Sequence, residues 1–190
     1  RRKVLQVVIS LDENQEYVDF GVRNVNDVSS KEIIDSLLRA GLFGYINQLP
    51  YAISTNPDVL PKGIFISALR DKPLACDFEY ELIGNEIDFQ TGLTALSRIS
   101  KTYLGIGRNQ CSESLRRVKD VEVNIFDGPC PAGNVGVQIN HINPVNKGDV
   151  VWTVDPTTVI YIGRLFNKGK VDLHHTIAIV GSEVHEPCYA

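Results

Sequence analysis

The sequence predicts an α/β fold: a mostly parallel, Rossmann-like sheet with helices on both faces, preceded by a β-hairpin. Strand-like and helix-like segments alternate along most of the 190 residues, as they do in proteins with parallel sheets. Residues 63–69 are almost continuously apolar, which is typical of a strand buried on both faces. Residues 127–133 form a proline- and glycine-rich turn between a hydrophobic run and a helix-like segment.

The first two strands are predicted at residues 3–10 and 17–22. The first run is rich in β-branched residues, and the polar segment 12–16 between the two runs is a turn signal. We therefore predict a β-hairpin over residues 1–24 that belongs to a preceding module. The α/β domain is predicted to cover residues 25–190.

The first helix is predicted after Ser29 and Ser30, because serine caps helix N-termini and a periodic apolar face follows. This helix is predicted to end near Gly41, and residues 42–51 form an aromatic-rich link to the next elements. The apolar face of the helix consists of Ile33, Ile34, Leu37 and Leu38.

The alternation of elements continues towards the end of the chain. A helix is predicted at 85–97, with Ile87, Leu93 and Leu96 facing inward. Right-handed connections between parallel strands bring the carboxyl ends of the strands to one edge of the sheet. The other predicted elements are strands at 101–105, 121–126, 150–154 and 176–180 and helices at 132–141 and 156–167.

This edge of the sheet is predicted to bind an anion. Ligands of open α/β sheets bind outside the carboxyl ends of the strands, and N–H groups at a glycine-rich helix start can hold a phosphate or carboxylate. The sequence has no G-x-G-x-x-G or Walker pattern, so the alternative that the glycines only let the helix pack tightly stays open. The candidate residues are Asp127, Gly128 and Gly133 in the turn, with Arg70, Lys72 and Arg108 from other strand ends.

A second candidate surface is aromatic and lies in the link after the first helix. Phe43, Tyr45, Pro50 and Tyr51 are predicted to contact a flat apolar ligand or a partner protein. The alternative, that these side chains pack over the edge of the sheet, stays open as well.

Composition argues against several classes of function. The net charge is −4 without long runs of one sign, so no nucleic-acid interface is predicted. No apolar run approaches the roughly 18–20 residues that span a bilayer. The four cysteines form no C-x-x-C pair and the histidines are not spaced for a shared ion, so no metal site is predicted. No nucleophile stands beside a base, and no catalytic residue is predicted.

Two motifs are long and specific. Residues 128–133 read GPCPAG and residues 159–169 read VIYIGRLFNKG. They resemble the GPHPAG-like turn and the VIxIGKLFxTG-like helix of the NqrA family, a subunit family of the Na⁺-translocating NADH:quinone reductase, and the resemblance extends over nearly the whole chain. Cys130 stands where that family commonly has His, which argues against an acid–base or metal-binding role at this position.

The resemblance implies that the chain is the central piece of a longer subunit. The hairpin at 1–24 would end a barrel-sandwich module, and further domains would follow residue 190. The absence of Met from the chain agrees with this interpretation.

The resemblance also implies a peripheral subunit on the cytoplasmic face of the bacterial inner membrane, in a respiratory Na⁺ pump. The whole complex is the enzyme, an oxidoreductase and translocase, and this piece alone is not expected to be catalytic. NADH, FAD, FMN, riboflavin, an iron–sulfur centre and quinone belong to other subunits, and this piece is expected to bind no cofactor. Its expected partners are those subunits, especially the membrane-embedded quinone-reducing one, and quinone itself. The resemblance implies that quinone is the flat ligand of Phe43, Tyr45, Pro50 and Tyr51.

Two other functions stay open. A stand-alone α/β domain would bind a nucleotide or a flavin through the loop from Asp127 to Gly133. Related nucleotide-binding subunits carry a glycine-dense loop after the first helix, whereas residues 40–50 here contain bulky side chains that prevent close approach to a phosphate. A component of a related electron-transport complex would carry cysteine-rich iron–sulfur motifs, which this sequence lacks.

Overall fold

The computed structural model of the protein describes residues 3–11, 13–14 and 16–190. The strands are β1 (Asn47–Leu49), β2 (Ile53–Ser54), β3 (Ile64–Ser67), β4 (Thr102–Gly107), β5 (Glu122–Phe126), β6 (Val151–Val154), β7 (Ala178–Ile179) and β8 (Cys188–Tyr189). The α-helices are α1 (Ser30–Arg39), α2 (Phe78–Leu82), α3 (Glu86–Ile99), α4 (Glu113–Arg116), α5 (Val135–Ile142) and α6 (Pro156–Lys168). Short 3₁₀ helices cover Val25–Asp27 and Leu42–Tyr45.

Six strands form one sheet in the order β2-β1-β6-β3-β4-β5. Strands β6, β3, β4 and β5 run parallel, and β1 and β2 add an antiparallel hairpin beyond β6. The chain passes from β3 through β4 to β5 and then returns to β6 on the other side of β3. The strand order therefore reverses between β3 and β6, which is where open α/β sheets leave a crevice. The predicted mostly parallel α/β sheet is confirmed.

Hydrophobic side chains cover both faces of this sheet. On one face, Ile64 and Ile66 of β3 and the buried Trp152 of β6 pack against α1, α3 and α6. On the other face, Phe65 of β3 packs with Ile139 of α5. Because successive side chains of a strand point to opposite faces, the apolar strand β3 serves both cores. The predicted helices on both faces are confirmed.

The first helix begins as its sequence predicts. Ser29 caps α1, accepting a hydrogen bond from the Glu32 N–H, while the Glu32 carboxylate accepts one from the Ser29 N–H at 2.9 Å. This reciprocal capping box satisfies two backbone donors that would otherwise lack partners. Helix α1 ends before Gly41, which has a left-handed backbone conformation.

Several features differ from the prediction. The link at 42–51 contains a 3₁₀ turn and β1, and residues 53–54 form β2, because backbone pairing of β1 with β6 overrides a local sequence with little strand character. Strand β7 pairs with β8 in a separate two-stranded sheet, so it does not extend the main one. Ile87 is 77% exposed and Leu38 is also exposed, because the buried faces of α3 and α1 are centred on other residues of those helices.

The described residues before position 25 contain no strand, and most of their apolar side chains are exposed. The segment is attached to the C-terminal end of α6: the Phe20 N–H donates to the Gly169 carbonyl at 2.8 Å, and the Arg23 N–H to the Phe166 carbonyl at 3.0 Å. Part of the predicted turn at 12–16 lies outside the described residues. The hairpin and the domain boundary near residue 24 stay predictions.

Helices α3 and α6 cross with their backbones in contact. A Cβ atom at Gly163 of α6 would overlap the Asp88 carbonyl, and one at Gly92 of α3 would overlap the Val159 carbonyl. Glycine at both positions therefore permits an approach that any other residue would prevent.

Arg164 holds the segment after α6 against the helix through hydrogen bonds and an ion pair. Its buried guanidinium donates to the Asn85 side chain at 2.7 Å and to the His174 carbonyl, and it lies 3.4 Å from the Asp172 carboxylate. Burial would raise the pKa of Asp172, but hydrogen bonds from His174 and Lys168 and the charge of Arg164 outweigh it and lower that pKa to about 2.

We expect Gly163→Ala to lower the free energy of unfolding by about 2–3 kcal/mol, because the added methyl must push α3 and α6 apart. Urea denaturation followed by circular dichroism measures this change. Gly44→Ala is the matched control, since a methyl at Gly44 would meet no atom within 4 Å and should change stability by less than about 0.5 kcal/mol. Equal effects of the two substitutions would contradict the close crossing.

The low pKa of Asp172 predicts a pH-dependent contribution to stability. Because the pKa falls on folding from 3.8 to about 2, the contribution is complete above about pH 4 and is lost as the pH falls towards 2. We expect Asp172→Asn to cost about 1–2 kcal/mol of unfolding free energy at pH 6 and progressively less at lower pH.

Urea denaturation at several pH values between 6 and 2.5 measures this convergence. Asp35→Asn, on the exposed side of α1, shows the effect of neutralising a surface carboxylate. A difference between wild type and Asp172→Asn that does not depend on pH would refute the assignment.

Candidate functional site at the strand-order reversal

A cleft of about 420 Å³ opens where the strand order reverses, at the carboxyl ends of β3 and β6. Residues after β3 form one wall, and the end of β6 with the start of α6 forms the opposite wall. The 3₁₀ turn before β1 and the turn before α5 close the sides. The polar and aromatic side chains of the cleft include Tyr45, Asn47, Arg70, Lys72, Asn134 and Asp155.

Two helices begin at the cleft. In each, the side chain of the residue directly before the helix caps the N-terminus. Asp155 accepts a hydrogen bond from the Thr157 N–H at 3.0 Å, and Asn134 accepts one from the Gly136 N–H at 2.8 Å. The positive ends of α6 and α5 therefore face the same space. Asp155 is thus the N-terminal cap of α6.

Arg70 lies in the wall of the cleft and is held by internal partners. Its Nη1 is 3.0 Å from the Glu81 carboxylate, and its Nη2 is 3.3 Å from Asp155 and donates to the Thr157 hydroxyl at 2.8 Å. Its guanidinium also lies over the Phe78 ring. Most of the positive charge of Arg70 is therefore balanced within the protein.

Lys72 is exposed at the same cleft. Within the described part of the chain, its ammonium forms no hydrogen bond or ion pair, so it is available to a ligand. Lys72 is thus the cation of the cleft whose charge is least compensated.

The turn before α5 packs directly on the end of β3. The Gly133 N–H donates to the Asp71 carboxylate at 2.8 Å, and the Ser67 hydroxyl donates to the Gly133 carbonyl at 2.8 Å. A Cβ atom at Gly133 would overlap the Leu69 carbonyl. These contacts give Gly133 a packing role, and its backbone N–H already has an acceptor.

The other anion-site candidates lie away from the cleft. Arg108, after β4, pairs with Asp127, after β5, at 2.7 Å, and both side chains are exposed. Gly128 follows with a φ of 154° and does not line the cleft. The structure brings Arg70, Lys72 and Gly133 together and separates them from Arg108 and Asp127. An anion-binding role for these residues stays a prediction.

The four aromatic-surface candidates do not form one surface. Phe43 is buried and meets Trp152 edge-on, with ring centroids 5.5 Å apart. Tyr45 is 46% exposed and lines the cleft. Tyr51 is 80% exposed at the turn between β1 and β2, and Pro50 lies in a neighbouring groove. Tyr45 and Pro50 are therefore the candidates that reach concave surfaces.

This neighbouring groove has a volume of about 440 Å³ and is largely apolar. Asn134 and Val135 line both the groove and the cleft, so the two lie next to each other. Its apolar walls are Leu49, Pro50, Val135, Ile139 and Val145.

Sequence reasoning missed Asn47, Asn134 and Thr153 as cleft residues. Asn134 could have been found, because a capping asparagine directly after the glycine-rich turn must lie at the carboxyl edge of the sheet. Asn47 and Thr153 gave no such signal, because the antiparallel pairing of β1 with β6 brings them to the cleft.

The described part of the chain contains no group of three or more His, Cys, Asp and Glu side chains that could hold a metal ion. None of the helices among these residues is long and apolar enough to cross a membrane.

Comparison with known proteins agrees with this architecture. Residues 28–171 match the family model described as the NqrA second alpha/beta domain. Proteins named as the A subunit of Na(+)-translocating NADH-quinone reductase are similar along 98% of the chain: 33% identical in Pseudomonas aeruginosa, 32% in Neisseria meningitidis and 31% in Yersinia pseudotuberculosis. The chain spans 42% of the length of each of these relatives. The match over most of the chain shows that this protein belongs to the family of the NqrA second alpha/beta domain.

Proposed function

We propose that this protein acts within a respiratory Na⁺-pumping NADH:quinone oxidoreductase, as part of a peripheral subunit on the cytoplasmic face of the bacterial inner membrane. The names of the relatives support this role. The domain binds no cofactor and is a scaffold for other subunits, especially the membrane-embedded quinone-reducing one. NADH, FAD, FMN, riboflavin and the iron–sulfur centre are bound by those other subunits.

The exposed edge of the sheet supports the scaffold role. Tyr51 and Ile53 in the β1–β2 hairpin and Leu60 in the following loop expose large apolar side chains. Exposed apolar residues on an unpaired sheet edge favour contact with another protein chain. We therefore assign the partner contact predicted for Tyr51 to this hairpin.

A quinone contact is the second part of the proposal, and the position of the polar cleft next to the apolar groove supports it. A quinone has a flat ring with two carbonyl acceptors and an apolar tail. In the cleft, the Tyr45 ring can stack on the quinone ring, and Lys72 and Asn47 can donate to its carbonyls. The groove beside Pro50 and Ile139 can hold the beginning of the tail.

Nucleotide or flavin binding by the loop from Asp127 to Gly133 has less support. The Gly133 N–H already donates to Asp71, and Arg108 already pairs with Asp127. An incoming phosphate would have to displace both partners.

We expect the purified protein to bind a water-soluble short-chain quinone saturably in isothermal titration calorimetry. Tyr45→Ala should weaken this binding about tenfold, because it removes the stacking ring. The matched control is Tyr189→Ala, which removes a partly exposed tyrosine that lies outside the cleft and the groove. Equal binding by wild type and Tyr45→Ala would contradict a quinone contact at the cleft.

FMN and NADH titrated in parallel test the absence of a cofactor. We expect no binding of either ligand and a colourless protein. Tight FMN binding, or a yellow protein with flavin absorbance, would overturn the cofactor-free role and favour the nucleotide-binding alternative.

A further inference from the structure

A recess of about 320 Å³ adjoins the cleft. Tyr45, Arg70 and Asp155 line both the recess and the cleft. Its other walls come from three different parts of the chain: Glu81 of α2, Tyr161 of α6 and His175 of the segment after α6. Neither the scaffold role nor the quinone contact uses this recess.

Glu81 is the unusual side chain of the recess. It is 1% exposed, and neither of its carboxylate oxygens accepts a hydrogen bond of normal geometry from a described residue. Its Oε2 lies 3.0 Å from Arg70 Nη1, so the pair is an ion contact rather than an aligned hydrogen bond. A buried carboxylate is stabilised by hydrogen-bond donors around it. Because both oxygens of Glu81 lack such donors, they can accept hydrogen bonds from a ligand.

The charges around Glu81 favour a cation. The Arg70 guanidinium also faces Asp155, at 3.3 Å, so one positive group serves two carboxylates. No other Lys or Arg among the described residues lines the recess. His175 lies at its edge with Nδ1 2.8 Å from the Tyr161 hydroxyl. The carboxylates and Arg70 together leave a formal charge of −1.

The aromatic walls favour the same kind of ligand. The rings of Tyr45 and Tyr161 meet edge-on with centroids 6.3 Å apart, and the His175 ring lies 6.2 Å from Tyr161. The faces of tyrosine rings attract cations. A metal ion is a poor match, because Glu81, Asp155 and His175 do not form a metal-binding group among the described residues. An ammonium ion brings three donors of its own.

We propose that this recess binds a primary ammonium group, carried by a lysine side chain or a small alkyl amine. Glu81 and Asp155 accept its hydrogen bonds, and Tyr45 and Tyr161 form its aromatic walls. Arg70 holds the two carboxylates in place.

Titration of the ¹⁵N-labelled protein with n-butylammonium chloride, followed by NMR, tests this proposal. We expect saturable shifts of the amide signals of Thr158 and Tyr161, which line the recess. n-Butanol has the same chain without the charge and should cause no saturable shift, and KCl matches the ionic strength. Nα-acetyl-lysine methylamide that binds more tightly than butylammonium would identify a lysine side chain as the ligand, and equal affinity would indicate amines in general.

Substitution of Glu81, with a matched control, tests whether its carboxylate accepts the hydrogen bonds of the ammonium group. Glu81→Gln keeps the shape of the side chain and should weaken butylammonium binding about tenfold or more, because the charge is lost. Glu113→Gln is the matched control, since Glu113 of α4 is exposed, pairs with Arg117 and does not line the recess. Its affinity should equal that of wild type.

Asp155→Asn provides a second variant if Glu81→Gln does not fold, because asparagine also caps helices and leaves the start of α6 intact. Dispersed amide signals show whether each variant is folded. No saturable shift with butylammonium, equal shifts with butanol, or unchanged affinity in folded Glu81→Gln and Asp155→Asn would overturn the proposal.

Discussion

The contact between the backbones of α3 and α6 is the constraint on which the rest of the structure depends. Gly92 and Gly163 let the two helices touch, and this fixes α6 against the sheet. The first residues of α6 then stand beside the end of β3, where Asp155 can reach Arg70. Displacement of α6 would separate these groups and change the shape of both the cleft and the recess.

Arg70 links the two concave surfaces. Its guanidinium bridges α2, through Glu81, and the start of α6, through Asp155. Because its charge is mostly balanced, the cleft is polar without being strongly cationic, and Lys72 remains as its free cation among the described residues. This distribution suits a neutral ligand with carbonyl acceptors better than a highly charged phosphate.

Much of the central fold could be predicted because its signals are local. Strand β3 is a continuous apolar run, and serine or aspartate caps mark α1 and α6. The β1–β2 hairpin could not be predicted, because strands this short depend on pairing with β6. At the site, topology predicted that Arg70, Lys72 and Gly133 would lie together. The pairing of Arg108 with Asp127 and the burial of Phe43 depend on tertiary contacts that residue spacing does not encode.

The attachment of the N-terminal segment to Gly169 has a mechanical consequence. Gly169 follows the C-terminal end of α6, whereas Asp155 caps its N-terminal end, and 13 helical residues separate them by about 20 Å. A helix packed along its length transmits an axial displacement almost rigidly. Force applied to residues 16–23 would therefore displace α6 along its axis and, with it, Asp155 at the edge of the cleft.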